Sequence, residues 1–312
     1  MAQEKKKISI VTPCYNEDKN VKALYLLVKE IFEGQNYLYE HIFIDNASTD
    51  STVAVLKGLA ENDNNLKIIV NARNFGWIRS PFYGLLQAQG DAVVLIAADL
   101  QDPPQLIAQF IQKWEEGYLI VLGVKTKSNE SRLMYKIRGL YYKLYRSISE
   151  NGVIEHYTGF GLYDKKIIEI FRELDEPYPY LKSVIPEVGF EKCLVEYTQP
   201  RRKVGISSGS FYRLYDAAIS GITSDSRVPI RIATIFGFIS SAVSLFIALV
   251  YVFLKVLMWN RYSLGIASIA IGFFFFASVQ LFFIGLIGEY VGAILTQVKK
   301  RPLVIEKERV NF

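Results

Sequence analysis

Apolar positions in the first half of the chain form short β-branched runs that alternate with longer stretches of helical spacing. Ile8–Pro13 is strand-like. Val21–Phe32 carries Val21, Leu24, Leu27, Val28 and Ile31 on one helical face and stops at Gly34. The alternation continues with a strand over His41–Asp45, a helix over Ser51–Ala60, a strand over Leu66–Val70 and a helix over Ser80–Ala88 ended by Gly90. An apolar strand over Ala92–Ala97, a helix opened by Pro103 and Pro104 and running to Glu116, and a strand over Leu119–Val124 complete it. Repeated strand–helix units predict an α/β domain, a mostly parallel sheet with helices on both faces. Ligands bind such sheets beyond the carboxyl ends of the strands. Polar clusters fall there: Asn16 and Glu17, Asp45 and Asn46, Arg73 and Asn74, Asp99 to Asp102.

The pattern changes near the C-terminus. Ile232–Leu254 and Tyr262–Gly288 are charge-free and apolar, each longer than the roughly 20 residues a helix needs to cross a bilayer. The predicted layout is a catalytic domain over residues 1–210, an amphipathic segment over 211–228, membrane helices over 229–258 and 262–296, and a cytoplasmic tail over 297–312. Basic residues flank the pair, with Arg201, Arg202, Lys203, Arg213, Arg227 and Arg231 before it and Lys299, Lys300 and Arg301 after it. The short link near Trp259–Ser263 holds Arg261 only, with Lys255 just before it. The positive-inside rule then puts the N-terminal domain and the tail of this multi-pass layout in the cytoplasm, with Trp259 and Tyr262 at the far interface. Met1–Lys7 is polar and does not read as a signal peptide.

Composition adds little beyond this. The net charge is +5, and 51% of residues are hydrophobic, concentrated in the C-terminal stretches. The two cysteines, Cys14 and Cys193, read as small core residues in a reducing compartment. His41 and His156 share no metal-ligand spacing, so no zinc site is expected.

Chemistry concentrates in the loops after the strands. Ala98-Asp99-Leu100-Gln101-Asp102-Pro103-Pro104 sets a carboxylate at a strand end with oxygen donors two and three positions on. That arrangement suits Mg²⁺ or Mn²⁺, which keep waters and complete their shell with substrate phosphates. Asp102 also fits a cap for the following helix, whereas Asp99 lies too far back for that role. Asp45 offers an acceptor for a uracil imide N–H, and Tyr15 a ring that stacks on a base. Met134–Ile148, basic and rich in tyrosine, suits a membrane surface or a phosphate, and equally a solvated helix face.

Together the motifs resemble the family-2 glycosyltransferases of GT-A fold, and more narrowly the polyisoprenyl-phosphate glycosyltransferases. The elements are Pro13-Cys14-Tyr15-Asn16-Glu17, Asp45-Asn46-Ala47-Ser48-Thr49-Asp50, Arg73-Asn74-Phe75-Gly76, the Asp99 loop, Thr158-Gly159-Phe160, Arg202 with Gly205 and Ser207, and Gly288-Glu289-Tyr290. The resemblance implies that Pro13, Tyr15, Glu17, Asp45 and Arg73 hold the nucleotide-sugar. It implies that Asp99 and Gln101 ligate the cation, and that Arg202 and Ser207 approach the donor phosphates, with Asp99 and Arg202 the catalytic pair. Lys125, Arg132 and Arg138 are its candidates for the lipid phosphate. The implied partners are a nucleotide-sugar donor (a UDP-hexose or UDP-N-acetylhexosamine), undecaprenyl phosphate, the membrane (by the resemblance, a bacterial inner membrane) and further copies of the chain, with no nucleic acid. This chain departs from the family pattern in four places. Ala97 stands where relatives commonly have the first Asp of Asp-Ala-Asp, Phe160 follows Gly159, Ser208 replaces a common Lys, and Asp225 precedes the first apolar stretch.

A phosphomonoester acceptor, with a second pKa of about 6, is largely dianionic at neutral pH and needs no strong general base. Inverting transfer would then rest on positioning and on neutralising the departing diphosphate. Two alternatives are a polysaccharide synthase, which usually has more spans and a Gln-x-x-Arg-Trp element absent here, and a scaffold that kept the fold without the chemistry.

Overall fold

The computed structural model describes residues 5–127, 154, 156–174, 176–200, 228–257, 266–299 and 301–312. The first strands are β1 (Lys7–Cys14), β2 (Leu38–Asp45), β3 (Leu66–Asn71), β4 (Ala92–Leu95) and β5 (Ile120–Lys127). The helices between them are α1 (Val21–Phe32), α2 (Thr52–Ala60), α3 (Gly76–Gln87) and α4 (Leu106–Glu115). Next come β6 (Tyr157–Asp164), α5 (Lys165–Glu173), α6 (Leu181–Val188) and β7 (Lys192–Thr198). Two long helices, α7 (Val228–Leu257) and α8 (Ile266–Val298), precede a last strand, β8 (Glu306–Val310).

The eight strands form one sheet in the order β7-β5-β6-β4-β1-β2-β3-β8. β1 pairs in parallel with β2 and β4, β2 with β3, and β5 with β7. β6 runs antiparallel to both β4 and β5, and β8 antiparallel to β3. The sheet is therefore mixed. The predicted units set the parallel core, and β6 inserts against it. Gly161 on β6 lets the strands close, because a Cβ there would sit 2.6 Å from the Val121 carbonyl oxygen.

Helices cover both faces. On one, Phe82 of α3 meets Phe171 of α5 at 5.3 Å between ring centres, over Val11, Ile42, Ile44 and Val93. On the other, Leu24 and Val28 of α1 and Ile107, Phe110 and Ile111 of α4 pack on Ile8, Ile10 and Val94. Fully burying each such side chain contributes about 1.5–3 kcal/mol. α3 lies close on the sheet at Gly84, where a Cβ would meet Val11 Cγ1 at 2.7 Å. α4 starts at Leu106, and the two prolines form the turn before it.

In the C-terminal part, Val228–Leu257 and Ile266–Val298 are helical. In α8 the window Phe275–Gly292 is long and apolar enough to cross a membrane. Among the described residues of α7 the apolar portion is Ile230–Ser240, so one candidate span meets the criterion where the sequence predicts two. Phe236 of α7 and Phe283 of α8 approach to 6.4 Å. Residues 306–310, expected as part of a tail, instead form the edge strand of the sheet, with Val310 paired to Ile68 and Arg309 to Ile69.

Candidate active site

The carboxyl ends of β1, β2 and β4 converge on a cavity of about 820 Å³, within the usual range for small-molecule sites. Pro13, Tyr15 and Glu17 line one side and Asp99 another; Thr158 and Gly159 of β6, Trp77 of α3 and Tyr180 before α6 add further walls. Tyr15 is 45% exposed, so its ring is open to stacking.

The loops around this cavity adopt conformations that side chains rarely take. Asn16, Ala47 and Leu100, one in each loop after β1, β2 and β4, have φ of 56°, 62° and 58°. Non-glycine residues enter this left-handed region at a cost, and such residues cluster at functional sites. Side-chain hydrogen bonds hold them. The Asn16 N–H donates to Ser48 Oγ at 2.9 Å, and Asn16 Oδ1 accepts from the Thr49 N–H at 2.8 Å. The Glu17 N–H donates to Thr52 Oγ1 at 2.9 Å. The β1 and β2 loops are thus one unit.

Asn46 ties that unit to the β3–α3 loop. Its Oδ1 accepts from the Phe75 N–H at 2.8 Å and from Asn71 Nδ2 at 3.1 Å, and its Nδ2 donates to Asn74 Oδ1 at 2.9 Å and the Gly76 carbonyl at 3.2 Å. The loop so formed carries Arg73, whose guanidinium lies over the Phe75 ring at 4.0 Å, and Trp77, which meets Tyr180 edge-on at 5.8 Å. The motif contained Asn46 and Asn74, but only the folded loops reveal that they form the joint. Nothing in the sequence paired Trp77 with Tyr180.

Asp45 is fully buried. Its carboxylate accepts from the Ser48 N–H at 2.9 Å, from the Ser48 hydroxyl and weakly from the Cys14 thiol. Burial pushes its carboxyl above the ordinary value, and the Ser48 bonds oppose that. Asp45 therefore organises the turn, with the Ala47 backbone as a further donor.

Asp99 lines the cavity, and its Oδ1 accepts from the Gln101 N–H at 3.1 Å. Gln101 Oε1 accepts from Gln199 Nε2 at 3.0 Å. Among the described residues no cluster of three or more His, Cys, Asp and Glu side chains is built to hold an ion. Three carboxylates line the cavity, Glu17, Asp99 and Asp102, without forming a closed cage; Asp99 fits a hard cation that borrows most of its oxygens from a diphosphate and water. Asp102 is not a helix cap: the residue before α4 is Gln105. Asp102 is buried, and the Tyr197 hydroxyl donates to it at 2.5 Å. Burial pushes its carboxyl up, while the Tyr197 bond and the nearby Lys125 charge pull the other way.

The structure thus brings Pro13, Tyr15, Glu17 and Asp99 to one cavity. Asp45, Gln101, Arg73 and Lys125 lie outside its lining. Arg132, Arg138, Arg202 and Ser207, the Met134–Ile148 stretch and the 211–228 segment fall outside the described residues, apart from Val228 at the start of α7.

Residues 9–171 match Glycosyl transferase family 2. The chain is 34% identical over 303 residues to the SfII prophage-derived bactoprenol glucosyl transferase of Shigella flexneri, covering 97% of this chain and 98% of that one. It is 33% identical to the prophage bactoprenol glucosyl transferase homolog of Escherichia coli K12, over 96% of this chain and 98% of the other. The crystal structure of glucosyl-3-phosphoglycerate synthase from Mycobacterium tuberculosis, with Mn²⁺, UDP and glucosyl-3-phosphoglycerate, superposes with a TM-score of 0.50 at 15% identity, covering 70% of this chain and 78% of that one.

Proposed function

The chain belongs to glycosyl transferase family 2 and is a GT-A glycosyltransferase, and from that membership we propose that it moves a hexosyl group from a UDP-sugar to a polyisoprenyl phosphate at a membrane. The observation that carries this reading is a single cavity that joins Tyr15 and Glu17 to Asp99 in a chain that matches bactoprenol glucosyl transferases over nearly its whole length. The apolar window in α8 supports action at a bilayer.

In this account the base stacks on Tyr15 between the β1 and β2 loops, with Pro13 and Glu17 beside the ribose and Asp45 accepting the imide N–H. Arg73 contributes positive charge on the same side. Asp99, with Gln101 beside it, would hold Mg²⁺ or Mn²⁺ on the donor diphosphate. When bound, that cation supplies Lewis-acid stabilisation of the leaving group. Arg202 and Ser207 approach the same phosphates, and Lys125, Arg132 and Arg138 attract the lipid phosphate. The acceptor oxygen attacks the anomeric carbon, the bond to UDP breaks, and a phosphodiester replaces the monoester. The acceptor is already ionised, so the chain's task is alignment and charge complementarity.

Purified protein, undecaprenyl phosphate and a panel of nucleotide-sugars test the reading, with the lipid product identified by mass spectrometry. One hexosyl unit on the lipid phosphate is expected, with UDP-glucose the first donor to try because the relatives are glucosyl transferases. Transfer only to a growing glycan would favour the synthase alternative.

A further inference from the structure

The reaction outlined above leaves Asp102 without a task, yet Asp102 is a carboxylate 6% exposed in the wall of the cavity. Buried carboxylates are retained where they are hydrogen-bonded. Two partners hold this one. The Ala97 backbone N–H reaches it from the start of the β4–α4 loop, and the Tyr197 hydroxyl reaches it from β7. The first contact closes Ala97–Asp102 into a ring of chain with Asp99 at its tip. The second fastens that ring to the neighbouring part of the sheet. Two residues further along, Gln199 Nε2 donates to Gln101 Oε1 at 3.0 Å. The loop that presents Asp99 is therefore pinned twice, by two residues that lie two positions apart.

The pins have something to resist. Leu100, between Asp99 and Gln101, has φ of 58°, which disfavours the loop shape for an isolated chain. Tyr197 is itself fixed. Its ring meets Phe160 edge-on at 5.8 Å, Phe160 lies 4.8 Å from Phe110, and β7 pairs with β5 at Lys125 and Tyr197. A rigid tyrosine holding a carboxylate that in turn holds a strained loop is the arrangement by which outer groups set the direction of a metal-binding side chain.

We propose that Tyr197, acting through Asp102 and assisted by Gln199, is a positioning residue that sets Asp99 toward the divalent cation of the donor complex. Tyr197 touches neither the cation nor the sugar. The inference rests on Asp99 being the cation ligand.

The test is direct Mn²⁺ binding, not turnover. Full-length protein in detergent is titrated with Mn²⁺ at saturating UDP, and free Mn²⁺ is followed by its electron paramagnetic resonance signal. Metal-free UDP affinity is measured alongside. Tyr197→Phe keeps the ring and removes the hydroxyl. It is expected to weaken Mn²⁺ binding about 10–100-fold while metal-free UDP binding stays within about twofold, because Tyr15 and Glu17 sit on separate loops. Gln199→Ala should weaken Mn²⁺ in the same direction by less, and it decides the matter if Tyr197→Phe does not fold. Wild-type Mn²⁺ affinity in both variants would overturn the positioning role. Equal losses of Mn²⁺ and metal-free UDP binding would overturn it too, showing a general packing role. Failure of the wild type to bind Mn²⁺ with UDP would instead sink the cation reading on which the inference stands.

Discussion

Lys57 of α2 and Glu308 of β8 form an ion pair at 2.7 Å although 251 residues separate them. Around it, the Tyr83 hydroxyl donates to Glu306 at 2.8 Å, and Asn311 Nδ2 donates to the carbonyls of Ala60, Asp63 and Leu66. The end of the chain is thus fastened to the edge of the catalytic sheet. A chain that leaves the sheet after β7 and returns to it at β8 crosses a bilayer an even number of times or not at all. If Phe275–Gly292 spans, a second segment must span as well, and among the described residues α7, with its apolar portion Ile230–Ser240, is the candidate.

That geometry predicts sidedness. Single cysteines introduced at Phe312 and at Gly34 should be labelled from the same side of the membrane, and one at Asn260 from the opposite side. Impermeant thiol reagents applied to intact and to opened cells read this out. An Asn260 site labelled together with the other two would contradict the two-span arrangement.

Asp99→Asn should fold normally and lose about 10²–10³-fold in kcat, the scale seen when one preorganised electrostatic contributor to a transition state is removed. Steady-state kinetics at saturating Mn²⁺ check this. Turnover within a few-fold of wild type would remove Asp99 from the catalytic machinery.

Ala47 has φ of 62°, where glycine is at ease and a β-branched residue is not. Ala47→Gly is expected to keep or raise the thermal midpoint, by up to about 1 kcal/mol of stability, and Ala47→Val to cost about 1–2 kcal/mol. Thermal unfolding of the two variants against wild type settles the order.

Stability should fall as pH drops below neutral. Burial holds the His41 imidazole at about 3 instead of its ordinary 6.5. Its Nε2 pairs with Thr12 Oγ1 at 2.9 Å, while Nδ1 has no partner among the described residues. Between those two pKa values the unfolded chain takes up a proton that the folded chain refuses, so stability rises with pH across that window and levels off above it. Glu40 acts in the same direction at lower pH. Burial raises its carboxyl, but bonds from Lys67, Lys7 and Ser9 together outweigh that and hold it at about 2 against an ordinary 4.5. Its contribution is present above 4.5 and is lost as pH falls toward 2. In denaturant titrations below pH 6, His41→Gln should remove a slope of about 1.4 kcal/mol per pH unit. An identical slope in the variant would assign the effect elsewhere.

The parallel core was legible because its strands are near-continuous apolar runs bounded by polar loops. Those loops carry Tyr15, Glu17 and Asp99, so part of the cavity was legible too. β8 was not, since Glu-Lys-Glu-Arg-Val reads as a solvated tail. Its pairing with β3 is made by backbone groups, and a solvent-facing edge strand keeps its charges. β6 was recognised as a motif and not as a strand, because Gly159 and Gly161 weaken the strand pattern, although the close approach to the Val121 carbonyl requires a glycine at 161. Asp102 was misjudged as a cap because its partner, Tyr197, lies 95 residues away. Contacts of that range leave no local signature.

The most direct measurement is the phosphorus spectrum of the acceptor during reaction. Undecaprenyl phosphate, UDP-glucose, Mn²⁺ and the purified protein are followed by ³¹P NMR. The lipid monoester signal should convert to a phosphodiester signal in step with UDP release, one for one. Release of UDP with the monoester signal unchanged would contradict the account, because the sugar would then have gone to water or to another acceptor.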